Sequence, residues 1–275
     1  GYQGLVIKNE IKGIVYNPAE REVSVRVGSG EGWDELVAAT VTAGYWGLEN
    51  LSSIPGTVGA TPVQNVGAYG VEVASLITQV EAVHIDTLEL KEFSNSECQF
   101  AYRDSYFKSA AGRVWVITAV TFSLATKPNP KLDYGALQEL STQTALTAEQ
   151  VRHKVQAIRA GKFPNLNEVG TAGSFFKNPI ISAVAANTLK TKYPDLPCFA
   201  AGEGMVKVSL GWVLDKVCGL KGYCHNGVCL YENQALVLVN EGAKDARTVD
   251  DFAFEVARIV EEKTGIKIER EVRCV

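Results

Sequence analysis

The alternation of apolar and polar positions along the first half of the chain predicts several strands around one early helix. Residues 23–27 alternate and then meet a Gly-Ser-Gly turn, while 80–85, 89–93 and 113–124 are rich in β-branched and aromatic residues. After the first strand, the apolar residues of 31–44 recur at helical spacing and stop at a glycine. This half is therefore predicted to be mainly sheet.

Helical and strand patterns are mixed in the second half. A capping-box pattern opens a predicted helix over 147–161, and two more helices are predicted over 209–219 and 248–265, each capped by the hydroxyl residue that begins it. Residues 234–240 predict a buried strand, and the alternation of 266–273 predicts another. Together the two halves predict an α+β chain without internal repeats.

Composition and charge disfavour two classes of partner. A chain of 275 residues with 46% hydrophobic content is long enough for two domains with ordinary buried cores. The net charge is −4 and no basic block stands out, so nucleic acid and anionic membrane surfaces are poor candidates. The longest apolar runs have the length of strands, and no membrane insertion is predicted.

The six cysteines are predicted to be free thiols in a reducing compartment. Cys224, His225 and Cys229 lie close together, but their spacing does not match the usual zinc sets, so no metal site is predicted. A catalytic cysteine is also not predicted, because the local sequence suggests no Cys-His arrangement. The cysteines are at positions 98, 198, 218, 224, 229 and 274.

The segment 54–70, called here the glycine-rich loop, has the composition of a ligand-binding loop. It contains four glycines, two prolines and an adjacent Gln-Asn pair in the run IPGTVGATPVQNVGAYG. Glycines permit positive φ and close backbone approach, and successive amides in such turns can bind an anion. A sharp structural corner is the alternative interpretation.

Three further segments contain residues that could carry chemistry. Arg103 lies among aromatic residues in FAYRDSYFK, Ser174 follows a Gly-x-x-Gly step in GTAGSFFKNP, and Glu271 and Arg273 lie in the tail. Taken singly, each has a structural explanation as an ion pair, a helix cap or a solvated residue. No histidine lies in these segments, which disfavours a Ser-His-Asp hydrolase.

In this order, the motifs IPGTVGATPVQNVGAYG, FAYRDSYFK, GTAGSFFKNP and EREVR resemble the UDP-N-acetylenolpyruvoylglucosamine reductase family, whose members are also called UDP-N-acetylmuramate dehydrogenases. Residues 132–135 look like the tyrosine loop of its type I branch. The resemblance implies an FAD-linked-oxidase-like flavin domain over 1–163 and a smaller α+β substrate-binding domain over 164–264. A C-terminal strand over 265–275 would return to the flavin domain.

The resemblance also implies a reaction of bacterial cell-wall synthesis in the cytoplasm. Non-covalent FAD, reduced by NADPH, would pass a hydride to UDP-N-acetylglucosamine enolpyruvate and give UDP-N-acetylmuramate. Ser174 would donate the proton, and Arg103 and Glu271 would stabilise the developing enolate. Because an ionised carboxylate would oppose that charge, Glu271 is expected either to be protonated or to orient another group. The implied substrate-binding residues are Tyr134, Lys162, Asn178, Gln234 and Arg273. The implied FAD-binding residues are Ile54, Pro55, Gly56, Gly59, Ala60, Thr61, Gln64, Asn65, Gly67 and Tyr69.

The start of the chain departs from the family pattern. The sequence begins without Met and almost directly in an apolar run predicted as a strand, whereas family members carry an earlier segment with a phosphate-binding loop. We therefore expect the N-terminal part of the flavin domain to be missing. This expectation leaves two alternatives to the reductase: a non-catalytic nucleotide-sugar-binding fragment and another FAD-linked oxidase. The sequence does not predict the oligomeric state.

Overall fold

The computed structural model describes residues 4–243 and 245–273. The chain divides into two compact units, Gly1–Arg159 and Ala160–Val275. Each unit contains both helices and strands, which confirms the predicted α+β class.

The first unit is organised around a five-stranded antiparallel sheet with the order β1-β2-β7-β5-β6. Side chains of β2 alternate as predicted, with its three valines fully buried. Trp33 at the start of helix α1 packs against Phe122 of β7, with 6.0 Å between the ring centroids. The strands are β1 (Ile14–Pro18), β2 (Glu22–Gly28), β5 (Ile77–His84), β6 (Leu90–Ser94) and β7 (Trp115–Ala125), and α1 is Trp33–Thr42.

The connections of this unit contain short elements that carry the candidate site. Two small strands, β3 (Gly67–Ala68) and β4 (Val71–Glu72), pair at the end of the glycine-rich loop. The predicted capping box opens helix α2 (Ala148–Lys162), where the Thr147 amide donates to Gln150 Oε1 at 2.8 Å. Single-turn or longer 3₁₀ helices are Glu49–Leu51, Val58–Ala60, Val73–Ser75, Tyr106–Lys108 and Gly135–Thr142.

The second unit contains a four-stranded and a three-stranded antiparallel sheet, with the orders β12-β13-β14-β8 and β10-β11-β9. One face of the four-stranded sheet packs against helix α5 through Val228, Leu230 and Leu238. The strands are β8 (Gly170–Ser174), β9 (Ile180–Ser182), β10 (Cys198–Ala200), β11 (Met205–Val208), β12 (Cys224–His225), β13 (Val228–Leu230) and β14 (Val237–Asn240). The helices are α3 (Ala183–Lys192), α4 (Leu210–Trp212), continued by a π turn over Val213–Val217, and α5 (Ala246–Thr264).

Both predicted hydroxyl caps in this unit are wrong. Helix α5 begins after Asp245, whose Oδ1 accepts from the Thr248 amide at 2.8 Å, so Thr248 lies inside the first turn. The Ser209 side chain makes no cap hydrogen bond, and the Leu210 amide donates instead to Asn178 Oδ1 at 2.9 Å. The first-turn amides of both helices are therefore bonded by other side chains, a carboxylate in α5 and a side-chain amide at α4.

The strand predicted at each end of the chain is absent from the described residues. Residues 5–13 form no strand, and the side chains at 5–7 are mostly exposed, so no packing supports a ladder there. Within residues 265–273, only Arg270 forms a bridge, to Phe176. Ile268 and Val272 pack on the core of the second unit, to which the tail belongs, and Ile266 is buried. Residues 274–275 of the predicted strand lie outside the described residues.

The prediction that every cysteine is a free thiol is also wrong. Cys224 and Cys229 form a disulfide. A two-residue Asn-Gly turn with positive φ at both positions joins β12 to β13 and brings the two cysteines directly opposite each other. Cys98, Cys198 and Cys218 are free, and Cys274 lies outside the described residues. In the parts of the chain that are described, no helix is long and apolar enough to cross a membrane.

Candidate functional site

The glycine-rich loop is held to the first unit by backbone hydrogen bonds at its centre. The Gly59 amide donates to the Ser29 carbonyl at 2.9 Å, and the Val58 amide donates to the Glu31 carbonyl at 2.9 Å. A Cβ at Gly59 would lie 2.6 Å from Cβ of Ser29, so the close approach requires glycine at this position. The centre of the loop is thus held in place, and packing as well as ligand binding can account for its glycine.

The tip of the loop leaves backbone donors available. Residues 55–57 are exposed, and the amides of Gly56 and Thr57 have no hydrogen-bond acceptor among the described residues. Gly56 has a φ of 119°, a conformation that other residues rarely adopt. The half-buried Gln64 side chain likewise has no hydrogen-bond partner in the described part of the chain. Ile54 is half-buried, Ala60 is exposed and Thr61 is buried. Exposed amides beside a glycine suit a phosphate group, so these residues fit a dinucleotide such as FAD.

Asn65 has a structural role that the sequence did not predict. Its side chain is 1% exposed, its Nδ2 donates to Glu72 Oε2 at 2.9 Å and to the Ala101 carbonyl at 3.0 Å, and its Oδ1 accepts from the Ala74 amide at 3.0 Å. These bonds use both amide hydrogens and one oxygen lone pair. Asn65 therefore ties the loop to its neighbours, and its predicted contact with FAD stays a prediction.

Arg103 lies against the glycine-rich loop, so the structure brings together two predictions made from separate motifs. Its Nη2 donates to the Gly67 carbonyl at 2.6 Å. A Cβ at Gly67 would lie 2.9 Å from Nη1 of Arg103, which gives this glycine a steric reason. The Arg103 backbone has a φ of 54°, and its carbonyl accepts from Lys108 Nζ at 2.6 Å. Positive φ in a non-glycine residue costs about 1–3 kcal/mol and is found preferentially at functional sites.

Tyr134, the predicted substrate-loop tyrosine, also contacts the glycine-rich loop. Its ring packs edge-on against Tyr69, with 5.1 Å between the centroids. Tyr134 is 40% exposed, whereas Tyr69 is 8% exposed, and burial raises the pKa of Tyr69. An aromatic ring that covers the end of the loop and is open to solvent is well placed to contact a ligand.

A second arginine supports the loop and was missed by the sequence analysis. Arg159 Nε donates to the Ser53 carbonyl at 3.1 Å, and its side chain is also hydrogen-bonded to Tyr69. Burial lowers the pKa of Arg159, and Tyr69 opposes that shift. Arg159 thus links the residue before the loop to a residue near its end. Arg152 lies seven positions earlier on α2, on the same face of the helix, and pairs with Asp34. The spacing of the two arginines was the sequence signal that could have identified Arg159.

In the second unit, Ser174 ends a strand with an irregular register. Ser174 pairs with Val237, and the ladder shifts before Val239, as in a β-bulge. Gly173 has a φ of 76°, and its amide donates to Thr171 Oγ1 at 3.0 Å. Ser174 is half-buried, and its hydroxyl has no hydrogen-bond partner among the described residues. Bulges occur beside active sites because they redirect a side chain, and this hydroxyl is available to a ligand.

Asn178 and Gln234 meet at the beginning of α4. Asn178 Oδ1 accepts from the Leu210 amide, and a Cβ at Gly211 would lie 2.8 Å from Gln234 Oε1. The two predicted substrate residues are therefore neighbours of one helix start. The amide hydrogens of both side chains have no acceptor in the described part of the chain.

The remaining predicted residues are less closely grouped. The Glu271 amide donates to the Phe175 carbonyl at 2.8 Å, which places Glu271 beside the segment of Ser174. Its side chain is half-buried, and its role toward the enolate stays a prediction. Arg273 is exposed, and Lys162 is half-buried at the end of α2. The roles of these last two residues in substrate binding stay predictions.

Comparison with known proteins decides the family. Residues 1–88 match the model of an FAD binding domain, and residues 164–275 match the C-terminal domain of UDP-N-acetylenolpyruvoylglucosamine reductase. The reductase of Porphyromonas gingivalis is 42% identical, in a match that covers 100% of this chain and 82% of the relative. The chain belongs to the UDP-N-acetylenolpyruvoylglucosamine reductase family.

Other members of the reductase family agree. The reductase of Pasteurella multocida is 41% identical and is matched over 80% of its length by the whole of this chain. The crystal structure of the reductase from Thermus caldophilus has a TM-score of 0.61 at 25% identity, covering 90% of this chain and 71% of that chain. The resemblance and the presence of an FAD-binding domain are thereby confirmed. The expected loss of an N-terminal segment stays a prediction.

Proposed function

We propose that this chain reduces UDP-N-acetylglucosamine enolpyruvate to UDP-N-acetylmuramate with electrons from NADPH, in bacterial peptidoglycan synthesis. The hydrogen bond that fixes Arg103 on the Gly67 carbonyl is the observation that carries the proposal. It holds the cation that the reaction needs against the loop assigned to the flavin. Because the substrate is a nucleotide-activated precursor, we place the reaction in the cytoplasm.

The proposed chemistry divides between the cofactor and the chain. FAD, when bound, supplies the hydride that reaches the terminal carbon of the enolpyruvyl group. Arg103 then stabilises the negative charge that develops on the substrate carboxylate, which a guanidinium can bind with two parallel hydrogen bonds. Ser174 delivers the proton to the carbon that bears the carboxylate, and Glu271 assists by hydrogen bonding to the same group.

The substrate side of the proposal rests on polar groups that are half-buried or exposed. Asn178 and Gln234 present amide hydrogens beside the start of α4, and Tyr134 presents its phenol from an exposed position. Amide and phenol groups of this kind hydrogen-bond sugars and phosphates. Lys162 and Arg273 supply positive charge for the diphosphate in the same proposal.

The experiment separates the two half-reactions of the complete chain. We expect the purified protein to carry bound FAD, to lose its visible absorption with NADPH under anaerobic conditions, and to regain it on addition of the enolpyruvyl substrate. Ser174→Ala should leave bleaching unchanged and slow recovery by about 10²–10⁴-fold, the usual contribution of a general acid. Ser209→Ala is the matched control, because the Ser209 hydroxyl makes no cap hydrogen bond in the same unit.

Two outcomes would reject the proposed function, and a third would reject the role of Ser174. A protein that binds the sugar nucleotide but never retains FAD would be a binding fragment. Reoxidation by oxygen alone, with no response to the enolpyruvyl substrate, would indicate another FAD-linked oxidase. Equal slowing of both half-reactions in Ser174→Ala would remove the serine from its proposed role.

A further inference from the structure

We propose that Cys224, Cys229 and Glu241 form a redox-controlled binding site for one thiophilic divalent cation of the zinc class. Their ligand atoms all lie within 4.8 Å of one another. The site lies at the hairpin of β12 and β13, and none of its three residues is assigned to the reductase reaction. It does not depend on the proposed function.

The hairpin places the two sulfurs on the same face of the four-stranded sheet. Cys224 is directly opposite Cys229, and Cys229 is in turn opposite Val239 of β14. Opposed residues of an antiparallel pair point to the same face. Cys224 is exposed, whereas Cys229 is only 4% exposed. A reductant therefore reaches the disulfide through Cys224.

Glu241 is held beside this pair by its own backbone. Its amide donates to the Gly227 carbonyl at 2.9 Å, so the residue after β14 is fixed against the hairpin turn. Glu241 Oε2 lies 3.6 Å from Sγ of Cys229. Among residues 4–243 and 245–273, no lysine or arginine forms an ion pair with Glu241. A carboxyl oxygen thus lies next to the buried sulfur.

Reduction turns this arrangement into a cation site. Two thiolates and a carboxylate would collect three negative charges within a few ångströms, which is unfavourable unless a cation joins them. Thiolate and carboxylate are zinc ligands, and two bonds of about 2.3 Å at a tetrahedral angle need sulfurs about 3.8 Å apart. A change of the exposed Cys224 rotamer provides that separation, and a water molecule can complete four-fold coordination.

The ligand set differs from the one considered in the sequence. His225 lies between the two cysteines, but its Nδ1 is 2.8 Å from Glu255 Oε2 and is engaged in that hydrogen bond. Successive residues on a strand point to opposite faces, so His225 points away from the sulfurs. Glu241 is 12 residues beyond Cys229 and is brought to the site only by the fold.

The redox step balances with a dithiol as the reductant. One thiolate of the dithiol attacks Sγ of Cys224, and the bond to Cys229 breaks, so that Cys229 leaves as a thiolate. The second thiol of the reductant then attacks its own mixed-disulfide sulfur and releases Cys224. The reductant becomes a disulfide, two electrons and two protons pass to the chain, and binding of the cation releases those protons again.

Cobalt(II) titration of the full chain tests the proposal, since thiolate-bound Co²⁺ gives charge-transfer absorption in the near ultraviolet. We expect the reduced protein to bind one Co²⁺ with this band, and zinc to displace it. The oxidised protein and Cys224→Ser should lack the band, and Glu241→Gln should weaken binding at least tenfold. Cys198→Ser is the matched control, because Cys198 is a free, half-buried thiol of the same unit.

The opposite results would overturn the site. A band of equal strength in the oxidised protein or in Cys224→Ser would assign cobalt to other cysteines. Absence of the band from the fully reduced protein would show that the three groups do not bind metal. Alkylation followed by mass measurement of the denatured chain tests the switch itself: reduction must expose two additional thiols, and no difference would refute the disulfide.

Discussion

Replacement of Gly67 by alanine tests whether the glycine-rich loop holds the Arg103 guanidinium in place. The new Cβ would lie 2.9 Å from Nη1 of Arg103 and 2.9 Å from Cγ of Glu72. Both distances are well inside ordinary van der Waals separation of about 3.5–4.0 Å. Gly67 does not have a positive φ, so alanine is compatible with its backbone. The two atoms nearer than 3 Å belong to side chains, whereas the nearest backbone atom is the Val71 carbonyl oxygen at 3.2 Å. The arginine head is therefore expected to move, while the loop backbone adjusts by a few tenths of an ångström.

The size of the effect follows from the bond that is lost. Arg103 Nη2 donates to the Gly67 carbonyl at 2.6 Å, a short hydrogen bond from a charged group. Such bonds contribute about 1.5–3 kcal/mol. If that energy positions the guanidinium for the developing negative charge, its loss slows reoxidation by the enolpyruvyl substrate by about 10–150-fold. Reduction by NADPH does not need that charge and should change little.

Anaerobic stopped-flow measurement of the two half-reactions gives the result directly. Gly242→Ala is the matched control, because a Cβ at Gly242 would meet nothing within 4 Å and its φ is not positive. Unchanged reoxidation in Gly67→Ala would refute the reasoning, since the guanidinium would then not depend on this contact. Loss of FAD before any kinetic effect would show that the loop itself moves.

Two further predictions concern stability. Asn178→Ala should lower the free energy of unfolding by about 1 kcal/mol, because the Leu210 amide loses its acceptor, whereas Asn178→Asp keeps an acceptor and should cost less in urea unfolding. Burial alone would raise the pKa of Asp34, but hydrogen bonds from Arg152 and the Ser53 amide outweigh it and hold the pKa below its ordinary value. The contribution of ionised Asp34 to the free energy of unfolding is therefore complete above the pKa of the unfolded state, about 3.9, and is lost as the pH falls through the lower pKa of the folded state. Asp34→Asn should remove this part of the pH dependence of unfolding.

The sheet of the first unit was predictable because one of its faces is buried. Val23, Val25 and Val27 alternate with exposed or half-exposed residues and are themselves fully buried, so the sequence pattern and the packing agree. The same pattern failed in the tail. Ile266 and Ile268 alternate with charged residues, and Ile266 is buried while Ile268 packs on the core of the second unit. Between residues 265 and 273, however, a single bridge is the tail's strand partner. Alternation reports which side chains are buried, and it does not report whether the backbone pairs.

Helix caps and the disulfide required information from distant residues. The oxygen that caps Leu210 belongs to Asn178, 32 residues earlier, and no local pattern can identify it. Cys224 and Cys229 have a local signal in the Asn-Gly turn between them, which indicates a hairpin and hence opposed cysteines. The sequence analysis tested the spacing of these cysteines only against zinc-ligand patterns, and it therefore missed the disulfide.

Gly67 has two possible reasons to be glycine, and they have different consequences. The resemblance assigns it to FAD binding, whereas the structure shows that any side chain there would displace Arg103. A substitution that lowers overall turnover could act through either cause, so turnover alone cannot assign the residue. If flavin content and reduction by NADPH are preserved while reoxidation slows, then Gly67 acts through Arg103. The glycine would then be a positioning residue for the reaction, and the loop would set the geometry of the charge as well as hold the cofactor.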